Sequence, residues 1–156
     1  MKQIISILLV TLIFCISAFS QEAVKMQEFE DTVCEDFLSR MDGVIAESQN
    51  NPSATIYVFV YEGRELKYNN RKNKMEKVLP AFGSAKVKIN SMKIFIERRG
   101  ISIETFTFIE AGFRENLTVE MWVVPNGATP PKPSPTLEKI RYRKGKAIGF
   151  CLWCCG

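Results

Sequence analysis

Cysteines are the most reactive side chains in this sequence, and three of them fall among its last six residues. Cys151 and Cys154 have the C-x-x-C spacing that is typical of redox dithiols and of one half of a zinc site, and Cys155 follows at once. A redox pair normally opens a helix, and a zinc ion would need further ligands, which only Cys34 and Cys155 could supply. A structural or intermolecular disulfide is the favoured interpretation, with a thiol–disulfide or metal-binding protein as the alternative. Cys34 could equally be a buried thiol.

Two pairs of charged residues form the second candidate site. Glu62 and Arg64 follow a predicted central strand, where ligands of open α/β sheets gather, and Arg114 and Glu115 form a second cluster. The sequence contains no histidine, the commonest general base and metal ligand. Glu62 and Glu115 could act as a carboxylate pair, so a carboxylate-dependent hydrolase is a third hypothesis. These charges are either ordinary solvated loop residues or a polar ligand site; we predict no catalytic residue, no cofactor and no firmly assigned metal.

The first half of the chain contains a predicted helix and a predicted strand. Apolar residues at helical spacing predict a helix over 29–48, and Asn50-Asn51-Pro52 ends it. The unbroken run TIYVFVY over 55–61 predicts a central strand that is covered on both faces. The polar stretch 62–83 is predicted to be a loop or a short irregular helix.

The second half of the chain adds a helix and two strands. A helix begins at Ser84 and ends near Arg99, and strands over 103–109 and 117–124 are joined by a hairpin connection over 110–115. A strand–helix–strand crossover favours a parallel pair, and the hairpin adds an antiparallel edge. The predicted fold is therefore an α/β (α+β) two-layer sandwich with a mixed sheet, in the order helix–strand–helix–strand–strand.

Both ends of the chain differ from its middle in composition. Residues 1–20 have a charged start, an apolar run and small residues before Gln21, which is typical of a signal peptide. The domain is predicted over 21–124, a Pro-rich linker over 125–136 and a basic, cysteine-rich tail over 137–156. We expect an exported protein of the periplasm, the outer envelope or the extracellular space, with no transmembrane span once the signal peptide is removed.

The C-terminal segment is strongly basic. From Lys132 onward there are six basic residues and one acidic residue, whereas the preceding mature chain is nearly neutral. Such a segment favours contact with a cell-wall or envelope component or with an anionic membrane surface, and export makes nucleic acid an improbable partner. A solvated tail that keeps the protein in solution is the alternative.

The stretch SAKVKINSMKIFIERRGI forms a predicted helix that ends at Gly100-Ile101, and Asn116, Val119, Glu120 and Met121 lie at the last predicted strand. Through these residues, the segment 55–124 resembles the OmpA-like, peptidoglycan-associated domain of bacterial envelopes. The first stretch lies without a gap on the helix motif of that family, with Gly100-Ile101 at its Gly-Ile place, and the other four positions fall on its closing strand motif. The resemblance implies an α/β fold that binds the diaminopimelate of peptidoglycan through a loop Asp and a helix Arg.

The residues that such a domain uses for its ligand are changed in this chain. Lys88 occupies the Arg place, and Arg64 lies nearest the Asp place. A cation cannot receive an ammonium group, and Lys is a poor substitute for a bidentate Arg. We therefore expect an exported envelope-binding or structural module with an altered ligand site, formed by candidates from both halves of the chain. These candidates are Glu62, Arg64, Lys88, Arg114 and Glu115.

Overall fold

The computed structural model describes residues 22–149. Its elements are β1 (Val24–Glu30), α1 (Cys34–Asn50), β2 (Thr55–Asn69), β3 (Lys74–Val78), α2 (Ser84–Arg98), a short 3-10 helix (Ile103–Thr105), β4 (Phe106–Asn116) and β5 (Thr118–Val124). The predicted signal peptide and three cysteines, Cys151, Cys154 and Cys155, lie outside the described residues. Within 22–149 the fold is α+β, with two helices and five strands.

Strand β2 is the centre of a mixed sheet. Its first half lies between β5, which runs antiparallel to it, and β4, which runs parallel to it. Strand β1 pairs with the other side of β5, and the second half of β2 pairs with β3 as a hairpin. The predicted parallel pair is therefore confirmed, because the chain passes through α2 between β2 and β4.

The two helices cover one face of this sheet. Alternate residues of β2, namely Ile56, Val58 and Val60, are fully buried in the same core as the apolar residues of both helices. The intervening residues Phe59 and Tyr61 form a smaller buried cluster on the opposite face. The strand predicted over 55–61 is thus central and covered on both faces, as its apolar run indicated.

The N-terminal boundary of the first helix was predicted wrongly. Residues 24–30 form β1, and α1 begins only at Cys34. Met26 and Phe29 are three residues apart, a spacing that also fits a helix. The antiparallel backbone ladder with β5 decides the conformation, and it lies far away in sequence.

Two connections were also predicted wrongly. The polar stretch after residue 61 continues β2 as far as Asn69 and returns as β3, because its charged side chains lie on a hairpin that extends beyond the core. The stretch 110–115 is no hairpin connection, since it belongs to an unbroken β4. Strand β5 pairs with β1 and β2, so it is an inner strand of the sheet.

The C-terminal segment, residues 125–149, lies against the domain without forming a helix or a strand of its own. The backbone N–H of Ser134 donates to the Tyr61 hydroxyl at 3.0 Å, and that of Thr136 donates to the carbonyl of Phe113 at 3.0 Å. Further along, the N–H of Arg143 donates to the carbonyl of Pro80 at 2.9 Å. The division of the chain into domain, linker and tail stays a prediction.

Candidate functional site

Lys88 is held in a buried ion pair. Its Nζ lies on the inner side of α2 and donates to Asp31 Oδ1 at 2.8 Å, with the two side chains only 4% and 8% exposed. The ammonium group also lies 4.4 Å from the ring centre of Phe37. Burial lowers the pKa of Lys88, while the carboxylates of Asp31 and Glu65 act in the opposite direction. Lys88, which aligns with the ligand-binding Arg of OmpA-like domains, thus has a carboxylate partner inside the protein.

Glu62 caps the N-terminus of α2. The helix follows Gly83, which has a left-handed backbone (φ 76°) and no side chain to cap it. Glu62 Oε1 instead accepts from the backbone N–H of Ala85 at 3.1 Å and from the Ser84 hydroxyl at 3.4 Å. A carboxylate is favourable here because the helix N-terminus carries partial positive charge. The role that the structure gives to Glu62 is therefore a structural one.

Tyr142 of the C-terminal segment uses the other oxygen of the same carboxylate. Its hydroxyl donates to Glu62 Oε2 at 2.5 Å. Burial, together with the nearby negative charge of Glu62, raises the pKa of Tyr142 to about 12. One carboxylate thus joins β2, α2 and the C-terminal segment.

Arg114 lies on the opposite face of the sheet. Its guanidinium is 3.8 Å from the ring centre of Tyr61 and donates to Glu28 at 2.7 Å and to Glu120 at 2.6 Å. It also donates to the hydroxyl and carbonyl oxygens of Ser134 at 2.8 and 3.1 Å. Lys88 and Arg114 are therefore on different faces of the sheet and do not converge.

The partner of Arg114, Glu120, is a buried carboxylate that sequence reasoning did not select as a site residue. It is 1% exposed and also accepts from the Tyr61 hydroxyl at 3.1 Å, Trp122 Nε1 at 3.3 Å and Lys25 Nζ at 3.3 Å. The available signal was a carboxylate in an otherwise apolar strand, because such a group requires donors when it is buried. These contacts hold the sheet and the Pro-rich stretch together.

A polar cleft beside Arg114 has a volume of about 660 Å³. Its polar groups are largely used within the protein: Glu28 pairs with Arg114, and Glu30 accepts from Asn116 and Lys77, each at 2.7 Å. Glu28 and Glu30 are thus paired within the protein, and Glu115 adds a third carboxylate to a lining whose one cation among residues 22–149 is Arg114, so the cleft is a poor receptor for an anion.

The remaining predicted residues, Arg64 and Glu115, meet in a smaller groove. We call this the basic groove; its volume is about 220 Å³. Arg64 lies where the pairing of β2 with β4 ends, and Glu115 lies near the end of β4, while Lys139 and Arg141 come from the C-terminal segment. The groove is completed by Gly63, Leu79, Pro80, Leu137 and Ile140.

Three cations and one carboxylate give the basic groove an excess of positive charge. Arg64, Lys139 and Arg141 are exposed, and none of them forms an ion pair with a carboxylate among residues 22–149. Arg side chains can hold a carboxylate or phosphate with two parallel hydrogen bonds, and the apolar lining suits a carbon skeleton. The arrangement fits an anionic ligand with an apolar part.

Gly63 is required for the shape of this groove. A Cβ at this position would lie 2.6 Å from the carbonyl oxygen of Arg114 and 2.5 Å from that of Asn116, which is closer than real Cβ contacts allow. The ladder between β2 and β4 is also irregular on both sides of Glu62. This close approach brings Arg64 next to the end of β4.

The cysteine hypotheses remain predictions. Cys34 begins α1 and packs against the main core, while its three candidate partners lie outside residues 22–149. Within those residues there is no group of three or more side chains arranged to hold a metal ion. None of the helices in this range has the length and apolar character needed to cross a membrane.

Comparison with known proteins gave no match. No protein-family model fits the chain, and searches for similar characterised proteins and for similar solved structures found no significant likeness. The described residues form an α+β domain, and the basic groove is a part of it with an excess of exposed cations.

Proposed function

We propose that this protein is an exported, non-enzymatic module of the bacterial cell envelope that binds peptidoglycan through the basic groove. The resemblance of residues 55–124 to OmpA-like domains implies a cell-wall ligand, and the stem peptides of peptidoglycan carry carboxylates.

The observation that carries the proposal is the convergence of Arg64, Lys139 and Arg141 in one groove. These cations come from two separate parts of the chain, and the backbone bond between Arg143 and Pro80 holds the second part in place. The backbone thus brings the three cations to one groove, so a ligand carboxylate would meet several charged donors at once.

The location of the site differs from the one that the resemblance implies. In the family, the helix cation receives the ligand carboxylate, whereas Lys88 is already paired with Asp31 beneath the surface. Displacing Asp31 would leave a second buried charge without a partner, which costs several kcal/mol. The exposed cations of the groove meet no such competition, so they are the better receptors for a stem-peptide carboxylate.

A co-sedimentation assay with purified, insoluble peptidoglycan tests the proposal. Wild-type mature protein is compared with Arg64→Ala and Arg141→Ala, and Arg71→Ala is the matched control because Arg71 is an exposed cation in the β2–β3 turn. Removing one charged donor to a carboxylate should weaken binding about tenfold or more, whereas the control should bind like the wild type.

Salt and competition complete the design. Binding should weaken as salt is added, because the groove residues are exposed to solvent, and a soluble stem peptide should displace the protein. The proposal is wrong if the wild-type protein does not sediment with peptidoglycan, or if Arg64→Ala and Arg141→Ala both bind as well as Arg71→Ala.

A further inference from the structure

A second surface of the domain combines exposed apolar side chains with cations. Phe82 is 80% exposed in the loop before α2, and Ile148 is 77% exposed in the C-terminal segment. Ile148 borders a small cavity whose lining includes Ser84, the first residue of α2, which follows Phe82 by two positions. We give the name amphipathic patch to Phe82, Ile148 and the lysines near them in sequence, which are Lys86, Lys144 and Lys146.

The ring of Phe82 is held on the surface by the fold. It lies 5.4 Å from the ring of Tyr142 in an edge-to-face arrangement, and Tyr142 is fixed in turn by its bond to Glu62. Glu62 also binds the first turn of α2, which begins two residues after Phe82. Phe82 and Ile148 thus expose two large apolar side chains beside exposed lysines, and apolar groups that are rimmed by polar residues mark interaction surfaces.

The exposed charges nearest to Phe82 and Ile148 in sequence are all positive. Lys86, Lys144 and Lys146 are exposed, and they form no ion pair with a described carboxylate. The short stretches that contain the patch, 82–86 and 142–148, have no Asp or Glu. The neighbouring Glu62 and Glu65 are buried and bound to Tyr142 and Arg143. A partner with a dense negative surface is therefore favoured over a neutral or mixed one.

We infer that the amphipathic patch docks on the surface of an anionic lipid bilayer, with Phe82 and Ile148 entering the interfacial region. Apolar side chains that are rimmed by lysines match both components of such a surface, since the acyl boundary takes the rings and chains while the headgroups attract the cations. The inference goes beyond the proposed function and does not depend on it, because the patch and the basic groove share no residue.

Vesicle flotation with the mature protein tests this inference. We expect binding to vesicles that contain phosphatidylglycerol, little binding to vesicles of phosphatidylcholine alone, and loss of binding at high salt. Phe82→Ser should weaken binding about tenfold or more, because the phenyl group that would be buried in the bilayer is lost. Val24→Ser is its matched control, since Val24 is another exposed apolar residue, at the edge strand β1.

A pair of charge variants tests the electrostatic part. Lys144→Gln together with Lys146→Gln should weaken vesicle binding about thirtyfold. Arg71→Gln together with Lys74→Gln removes the same charge at the β2–β3 turn and should change binding less than about threefold. Circular dichroism of each variant verifies that the fold is retained.

The possible outcomes separate the two proposals. Arg64→Ala should keep vesicle binding while losing peptidoglycan binding, and Phe82→Ser should do the reverse. Equal vesicle binding by Phe82→Ser and Val24→Ser overturns the inference, as does equal binding to anionic and neutral vesicles. Loss of peptidoglycan binding in Phe82→Ser, with vesicle binding unchanged, would assign the patch to the cell wall and also overturn it.

Discussion

The buried ion pair between Asp31 and Lys88 gives the most direct test of the fold's energetics. Asp31→Asn removes one charge but keeps an oxygen that can accept from the Leu66 backbone N–H, which donates to Asp31 at 2.8 Å. Lys88 would then be a buried ammonium group without its closest carboxylate. Breaking a buried pair in this way costs about 3–5 kcal/mol, a large part of the stability of an ordinary domain.

The measurement is urea unfolding followed by circular dichroism. Asp42→Asn is the control, because Asp42 forms an exposed pair with Arg99 and should contribute about 1 kcal/mol or less. Adding Lys88→Met to Asp31→Asn should recover much of the lost stability, since the unpaired charge is then gone. Equal losses for Asp31→Asn and Asp42→Asn would contradict the reasoning.

The same variant has a predicted pH dependence. Burial depresses the pKa of Lys88 in the folded protein below its ordinary value of 10.5. Between the two values the unfolded chain binds more protons, so the contribution of Lys88 to stability rises with pH in that window. Losing the Asp31 charge lowers the folded pKa further, so the deficit of Asp31→Asn should shrink as the pH rises towards 10.5. If Asp31→Asn loses the same free energy of unfolding at neutral and at alkaline pH, Lys88 is not charged in the folded protein.

Three further predictions concern other parts of the protein. Gly63→Ala should destabilise the domain by more than about 2 kcal/mol, because the added Cβ would clash with the β4 backbone. Gly43→Ala in α1 has ordinary space for the Cβ and should stabilise the domain by up to about 1 kcal/mol. Chemical denaturation of the two variants measures both effects. A spectrophotometric titration of the wild-type protein should find a tyrosine with a pKa of about 12, and Tyr142→Phe should remove it. The variant should also lose less stability than the wild type above about pH 10, because Tyr142 keeps its proton in the folded state and loses it in the unfolded chain. Thiol titration of the mature protein should find no free thiol before reduction and four after it, whereas free thiols with bound metal would favour the metal-binding alternative.

The parts of the fold that could be predicted from the sequence are those whose side chains alone determine them. The apolar run from Thr55 to Tyr61 and the helical stripe of α2 carry their own signal. Strands β1 and β3 are rich in charged residues and are held by backbone pairing with β5 and β2. The local sequence of a strand carries no signal of a pairing strand that is distant along the chain, so these two strands were not predicted.

The candidate site was predictable only in part, for a similar reason. Arg64 and Glu115 meet because the parallel register places Arg64 opposite Asn116, where the pairing of β2 with β4 ends. Glu62 continues the alternation of Val58 and Val60 on the face that the helices cover, so its side chain meets the start of α2. Lys139 and Arg141 belong to a segment without periodic pattern, so its path to the groove was not predictable from spacing.

The backbone bonds between the C-terminal segment and Phe113 affect how the protein avoids self-association. Among residues 22–149, β4 pairs with one strand only, β2, and on its other side the carbonyl of Phe113 accepts from the N–H groups of Thr136 and Leu137 at 3.0 and 3.1 Å. An unpaired strand edge is a template for addition of a strand from another copy. The Pro-rich stretch therefore covers this strand edge. Until the stretch has been synthesised and has folded back, the nascent domain exposes an edge on which aggregation can begin.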